Sequence, residues 1–169
     1  MTKQLTHQTT SFQSKKFPIK IICDGVQSPA NIGGLFRISE AFGVSELIFC
    51  NASINFSSSR LRKTARHTVE KVPFRLSESI LSEIKELQKH DYKIIALELT
   101  ETSIPLEKLT LDAQEKLALI IGHEQHGISE TVLKNVDEST HIRMFGTNSS
   151  INVVQAAGIA LFTLTKLLN

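Results

Sequence analysis

Four short apolar runs constrain this chain most: Ile19–Cys23, Glu46–Cys50, Tyr92–Leu97 and Leu117–Ile121. Runs of this length, apolar at successive rather than alternate positions, suit strands covered on both faces of a parallel sheet. Segments with helical spacing separate them. A helix is expected to begin near Asn31, capped by that residue, to place Leu35, Ile38 and Phe42 on one face, and to end at Gly43. Ser57–His67 reads as a basic helix capped by a serine. Ser77–Lys89 reads as an amphipathic one with Ile80, Ile84 and Leu87 on one stripe. Val72–Phe74 is a short extended piece, Ser103–Pro105 a loop, and Thr140–Met144 a last short strand. Ser150–Leu168 reads as an apolar C-terminal helix, with Ile151, Val154, Leu161, Leu164 and Leu168 on one face. Strands alternating with helices predict an α/β fold, a mainly parallel sheet flanked by helices. Ligands of such sheets sit in the loops beyond the carboxyl ends of the strands.

The length, 169 residues, fits one domain. Residues 1–18 are polar and aperiodic, and predict a flexible N-terminal arm ahead of a single domain at 19–169. Hydrophobic residues at 41% and charged residues at 21% fit a soluble globular chain. No apolar run approaches the ~20 residues of a membrane helix, so no membrane partner is expected. Met1–Phe17 lacks the apolar core of a secretory signal, which makes the cytoplasm the expected compartment. A net charge of +2 permits a nucleic-acid partner without demanding one. Cys23 and Cys50 each close an apolar run, have no metal-type spacing, and read as buried strand residues in a reducing compartment.

Three loops carry unusual residues at strand ends. Asn31-Ile32-Gly33-Gly34-Leu35-Phe36-Arg37 follows the first strand. Its Gly33-Gly34 pair allows another backbone to approach closely. Arg37, two turns into an apolar helix, must find a carboxylate, a phosphate or water; Glu40 or a nearby acid would be its structural partner. The second loop, Gly122-His123-Glu124-Gln125-His126-Gly127, exposes backbone N–H groups at a sheet edge but lacks the lysine and hydroxyl of a phosphate-binding P-loop. Its two histidines are three apart across a turn, not four apart on a helix, and no metal is expected there. The third loop, Gly146 to Asn152, runs straight into the C-terminal helix, which Ser149 or Ser150 can cap. Arg60, Arg62, Lys63 and Arg66, with His67 beside them, form a basic cluster that reads as a solvated face or as a phosphate-contacting one. No aromatic stacking run accompanies it.

Taken in order, the three loops resemble the signature motifs of the SpoU-type (TrmH-like) RNA 2′-O-ribose methyltransferases, within the SPOUT superfamily. Asn31, Arg37, Glu40 and Gly43 match the first motif. Gly122, Glu124 and Gly127 match the second. Ile142, Met144, Gly146, Ser150, Ile151, Asn152 and Val153 match the third. Arg143 stands where the family usually has proline. The resemblance spans about residue 19 to the last residue and implies a C-terminal deep trefoil knot, a homodimer with the active site near the subunit interface, and S-adenosylmethionine as cofactor. It implies Arg37, Asn31, Glu124, Ser150 and Asn152 as catalytic residues, with Arg37 proposed in the family as the base. It places Leu97, Gly122, Ile142, Met144 and Ile151 against the cofactor. It leaves Arg60, Arg62, Lys63 and Arg66 to bind RNA. A guanosine ribose of the tRNA D-loop is the favoured target. Ribosomal RNA and the tRNA wobble ribose are the alternatives, and a non-enzymatic RNA- or nucleotide-binding α/β module is the competing class.

Overall fold

A computed structural model describes residues 4, 5, 10 and 12–169. Its core is a seven-stranded sheet: β1 (Ile19–Asp24), β2 (Glu46–Cys50), β3 (Phe74–Ser77), β4 (Tyr92–Leu97), β5 (Ile104–Pro105), β6 (Lys116–Ile121) and β7 (Glu138–His141). The strand order is β3-β2-β1-β6-β4-β7-β5, and every pairing between these strands is parallel. The helices are α1 (Pro29–Ala41), α2 (Ser59–Ala65), α3 (Ile80–Lys89), α4 (Glu130–Leu133) and α5 (Val153–Leu167).

The central strands are apolar at successive positions because both faces are covered. Ile21, Cys23, Leu47, Phe49, Leu119 and Ile121 point to the side covered by α1, α2 and α5. Ile22, Ile48, Cys50, Ile94, Ala96, Ala118 and Ile120 point to the side covered by α3 and α4. Cys23 and Cys50 therefore lie on opposite faces, both buried and free. Burial, more than any neighbouring charge, pushes the Cys50 thiol up to about 12, so it is inert at neutral pH.

Helix boundaries follow their caps. Ser58 and Ser79 each accept an N–H from three residues on and start α2 and α3. Ser77, expected in a helix, ends the edge strand β3 instead. Arg66 and His67 leave α2 with positive φ. The first helix starts at Pro29, so Asn31 is not its cap but lies within its first turn. The last helix is capped neither by Ser149 nor by Ser150: Asn152 accepts the N–H of Val154 at 2.9 Å. The last strand runs over Glu138–His141, leaving Ile142–Met144 in the loop beyond it.

Much of the expected arm, residues 1–3, 6–9 and 11, lies outside the described residues. Its end is not free. Phe17 donates its N–H to the Gly43 carbonyl at 2.9 Å and packs against the core, and Lys15 bonds the Asn169 side chain. An apolar ring directly after the polar Gln13–Lys16 is enough to seat this segment, so the held part of the chain begins before residue 18.

Because the strands are parallel, the loops after β1, β4, β6 and β7 emerge at one edge of the sheet. Close helix packing brings α1 and α5 to the same edge. A Cβ on Gly33 would lie 2.5 Å from the Leu61 carbonyl oxygen, so α2 rests directly on α1. Gly34 similarly admits Val154 of α5.

Candidate active site

The loops at the carboxyl edge enclose a cleft of about 710 Å³, within the range of cofactor sites. All five residues expected to face a cofactor line it: Leu97, Gly122, Ile142, Met144 and Ile151. Asn31, Glu124, Ser150 and Asn152 line it too. Fold topology thus gathers positions up to 121 residues apart.

A chain of side-chain hydrogen bonds links the three loops. The Asn152 amide donates to Asn31 Oδ1 at 3.0 Å, and the Asn31 amide donates to Glu124 Oε1 at 3.0 Å. Asn152 is fixed at its other end by the Val154 N–H. Partial desolvation would raise the Glu124 carboxyl above its ordinary value. The Asn31 amide, backbone N–H groups of Glu124 itself and Ser28, and the neighbouring His123 outweigh this and hold it below. Glu124 is therefore an anion at neutral pH. Gly122 crosses the far side of its own loop so closely that a Cβ would lie 2.6 Å from the Gly127 carbonyl oxygen. The two loop histidines stack, ring centroids 4.7 Å apart, and the Gln125 N–H donates to His123 Nδ1.

Arg37 is placed differently. It is exposed on α1, does not line the cleft, and makes no ion pair among the described residues. Glu40, its nearest structural partner in sequence, instead approaches Lys71 at 3.8 Å. Arg60, Arg62, Lys63 and Arg66 are all exposed on and just beyond α2. Arg143 reaches Glu107 at 3.3 Å, which ties the loop beyond β7 to the short turn after β5. Gly146 has nothing within 4 Å of an added Cβ.

Two lining residues, Glu98 and His141, lie outside the three loops that the sequence singled out. His141 is the last residue of β7 and its Nδ1 lies 2.9 Å from Ser103 Oγ. Its signal in the sequence is only its place ahead of Ile142. Glu98 follows an apolar strand directly, a position where a carboxylate at a cleft could have been suspected. Among the described residues no lysine or arginine lines the cleft, whereas Glu98 and Glu124 do.

An apolar face adjoins the site. Ile38, Ile151, Val154, Gly158, Ile159 and Phe162 surround a shallow groove. Ile159 is 44% and Phe162 63% exposed. Ile151 lines both groove and cleft, so the two adjoin.

The family model described as SpoU rRNA Methylase matches residues 18–162. A 23S rRNA (guanosine-2′-O-)-methyltransferase RlmB of Xylella fastidiosa (strain 9a5c) is 33% identical over 143 residues, 84% of this chain and 56% of its own length. The RlmB of Haemophilus ducreyi is 32% identical over 155 residues, 91% of this chain and 62% of its own. The chain thus spans about three fifths of the curated relatives it matches. Among solved structures, the A. aeolicus TrmH/SpoU tRNA modifying enzyme superposes with TM-score 0.78 at 22% identity, over 91% of this chain and 76% of its own. The AdoMet-bound rRNA methyltransferase of Sinorhizobium meliloti gives TM-score 0.80 at 23% identity, over 93% and 58%. These structures share the parallel sheet flanked by helices.

Proposed function

Because this chain belongs to the SpoU rRNA methylase family, we propose that it transfers a methyl group from S-adenosylmethionine to a ribose 2′-hydroxyl of RNA. The observation that carries this reading is the character of the cleft. Among the described residues it is lined by Leu97, Ile142, Met144 and Ile151, with two carboxylates and no lysine or arginine. Such a lining suits an adenosyl sulfonium cation and disfavours a polyphosphate. Bound there, S-adenosylmethionine supplies the methyl carbon.

The protein's task is then to orient the hydroxyl whose oxygen forms the new C–O bond as the C–S bond breaks, and to let its proton leave. Orientation accounts for much of such a rate enhancement. The linked Asn152, Asn31 and Glu124 side chains, with Ser150 beside them, hold that geometry. Arg37 is assigned to the substrate phosphate or ribose, since a guanidinium is a poor base. Standing outside its own cleft, it serves the cleft of a second copy. The exposed face of Ile159 and Phe162, adjoining the cleft at Ile151, supports such a homodimer. The exposed cations Arg60, Arg62, Lys63 and Arg66 are assigned to RNA phosphates. The deep trefoil knot belongs to the same proposal, and the insertion of β7 between β4 and β5 supports it.

The sequence motifs favour a tRNA guanosine. The named relatives act on guanosine in 23S rRNA, which favours a ribosomal guanosine. Nucleoside mass spectrometry of rRNA and tRNA from cells lacking the protein tests both. Loss of one 2′-O-methylguanosine from rRNA is expected. Its loss from tRNA instead would restore the D-loop assignment, and no loss in either would overturn the proposal.

A further inference from the structure

Glu98 stands where three loops of the cleft meet. Its backbone N–H donates to the Thr140 carbonyl at 2.9 Å, extending the contact of β4 with β7. Its carboxylate accepts the Leu99 N–H through Oε1 at 3.1 Å and the Ile128 N–H through Oε2 at 3.0 Å. Gly127, at φ +63°, presses against it so tightly that a Cβ would lie 2.5 Å from Oε2. The carboxylate is thus held in place by backbone from both sides.

A carboxylate offers about four acceptor sites, and the two backbone N–H groups occupy half of them. Among the described residues Glu98 forms no salt bridge, and no lysine or arginine lines the cleft with it. Glu98 is half-buried and lines the cleft, so a ligand's donors can replace water at its remaining lone pairs. Two acceptor positions on one fixed, planar group fit two neighbouring hydroxyls.

We propose that Glu98 is a cofactor-binding residue that accepts both hydroxyls of the adenosyl ribose. This rests on the methyltransferase reading and deepens it. The contact also joins the cofactor to Gly127 and Ile128, and so to the loop that carries Glu124. Selection for an intact ribose then comes from a residue outside the three motifs.

Calorimetry with S-adenosylhomocysteine and its 2′,3′-dideoxy analogue tests the assignment on the full chain. The wild type is expected to prefer the intact ribose by about 10- to 100-fold, the worth of hydrogen bonds to a charged acceptor. In Glu98→Gln the preference should fall below about 3-fold. A purely structural role would weaken both ligands equally and leave the ratio unchanged. The wild-type ratio needs no variant, so poor folding of Glu98→Gln does not shield the proposal. An unchanged ratio in the variant overturns it, as does a wild type indifferent to the hydroxyls. So does a variant that loses discrimination against a deaminated analogue instead, which would place the α-ammonium at Glu98. Failure of the wild type to bind either ligand would sink the methyltransferase reading with it.

Discussion

Asn31 and Glu124, 93 residues apart in the chain, are joined by a 3.0 Å hydrogen bond from the Asn31 amide to Glu124 Oε1. The same asparagine accepts from Asn152 with its other amide atom. It is thus hydrogen-bonded to both other motif loops, and it sits in the first turn of α1, where Pro29 has fixed the helix start.

Removing that link is expected to cost activity more than stability. The bonds are largely exposed, so Asn31→Ala should lose only about 1–2 kcal/mol of folding stability. Misplacement of Glu124 and Asn152 should reduce kcat/KM for methyl transfer by about 10²-fold. Thermal melting and steady-state kinetics on one preparation check both numbers. Activity within a factor of two of wild type would show that the linkage is incidental.

Acid sensitivity follows from two depressed carboxyls. The Arg75 side-chain hydrogen bond, working against burial, holds Glu83 below its ordinary value of 4.5. Glu124 is depressed as well. A group whose folded pKa lies below its unfolded one contributes stability above the unfolded value and loses it as pH falls through the folded one. Urea midpoints should therefore be level on this account from pH 7 to about 5 and fall below about 4.5. Glu83→Gln should lower the midpoint at neutral pH and flatten the acid limb. An acid limb unchanged in that variant would mean that the Arg75–Glu83 pair does not contribute.

The exposed Arg37 gives a test of how subunits share work. Arg37→Ala and Asn31→Ala should each be nearly inactive, with cofactor binding largely intact in the former. If Arg37 serves the partner's cleft, mixing the two variants rebuilds one complete site per mixed dimer, or about a quarter of wild-type activity on statistical pairing. Phe162→Glu, which puts a charge on the apolar face, should abolish this rescue and yield monomers in sedimentation. No rescue from mixtures shown to exchange subunits would place Arg37 in its own cleft.

The sheet was legible in the sequence where both its faces are covered. Glu46–Cys50 and Tyr92–Leu97 are strands over the expected residues because burial on two sides demands unbroken apolar runs. Polar strands were not readable in the same way. Glu138 and Ser139 pair with β4 through the backbone and an ion pair from Glu138 to Lys93 rather than through apolar side chains, so the last strand begins before its expected start and ends at His141. Helix starts shifted wherever a local cap decided them, as Asn152 does for α5. The motif residues were recognisable, but their partnership was not. Nothing in the spacing of Asn31, Glu124 and Asn152 states that one amide bonds both neighbours. Glu98 escaped because its role depends on Ile128, 30 residues away.

The most direct measurement combines purified protein, S-adenosylmethionine carrying a labelled methyl group, and unmodified ribosomal and transfer RNA transcripts. The label is expected in an alkali-resistant dinucleotide, which forms only when a 2′-hydroxyl is blocked, and to vanish in Asn31→Ala. Label on a base, or none in RNA while S-adenosylmethionine is bound, would contradict ribose methylation by this cleft.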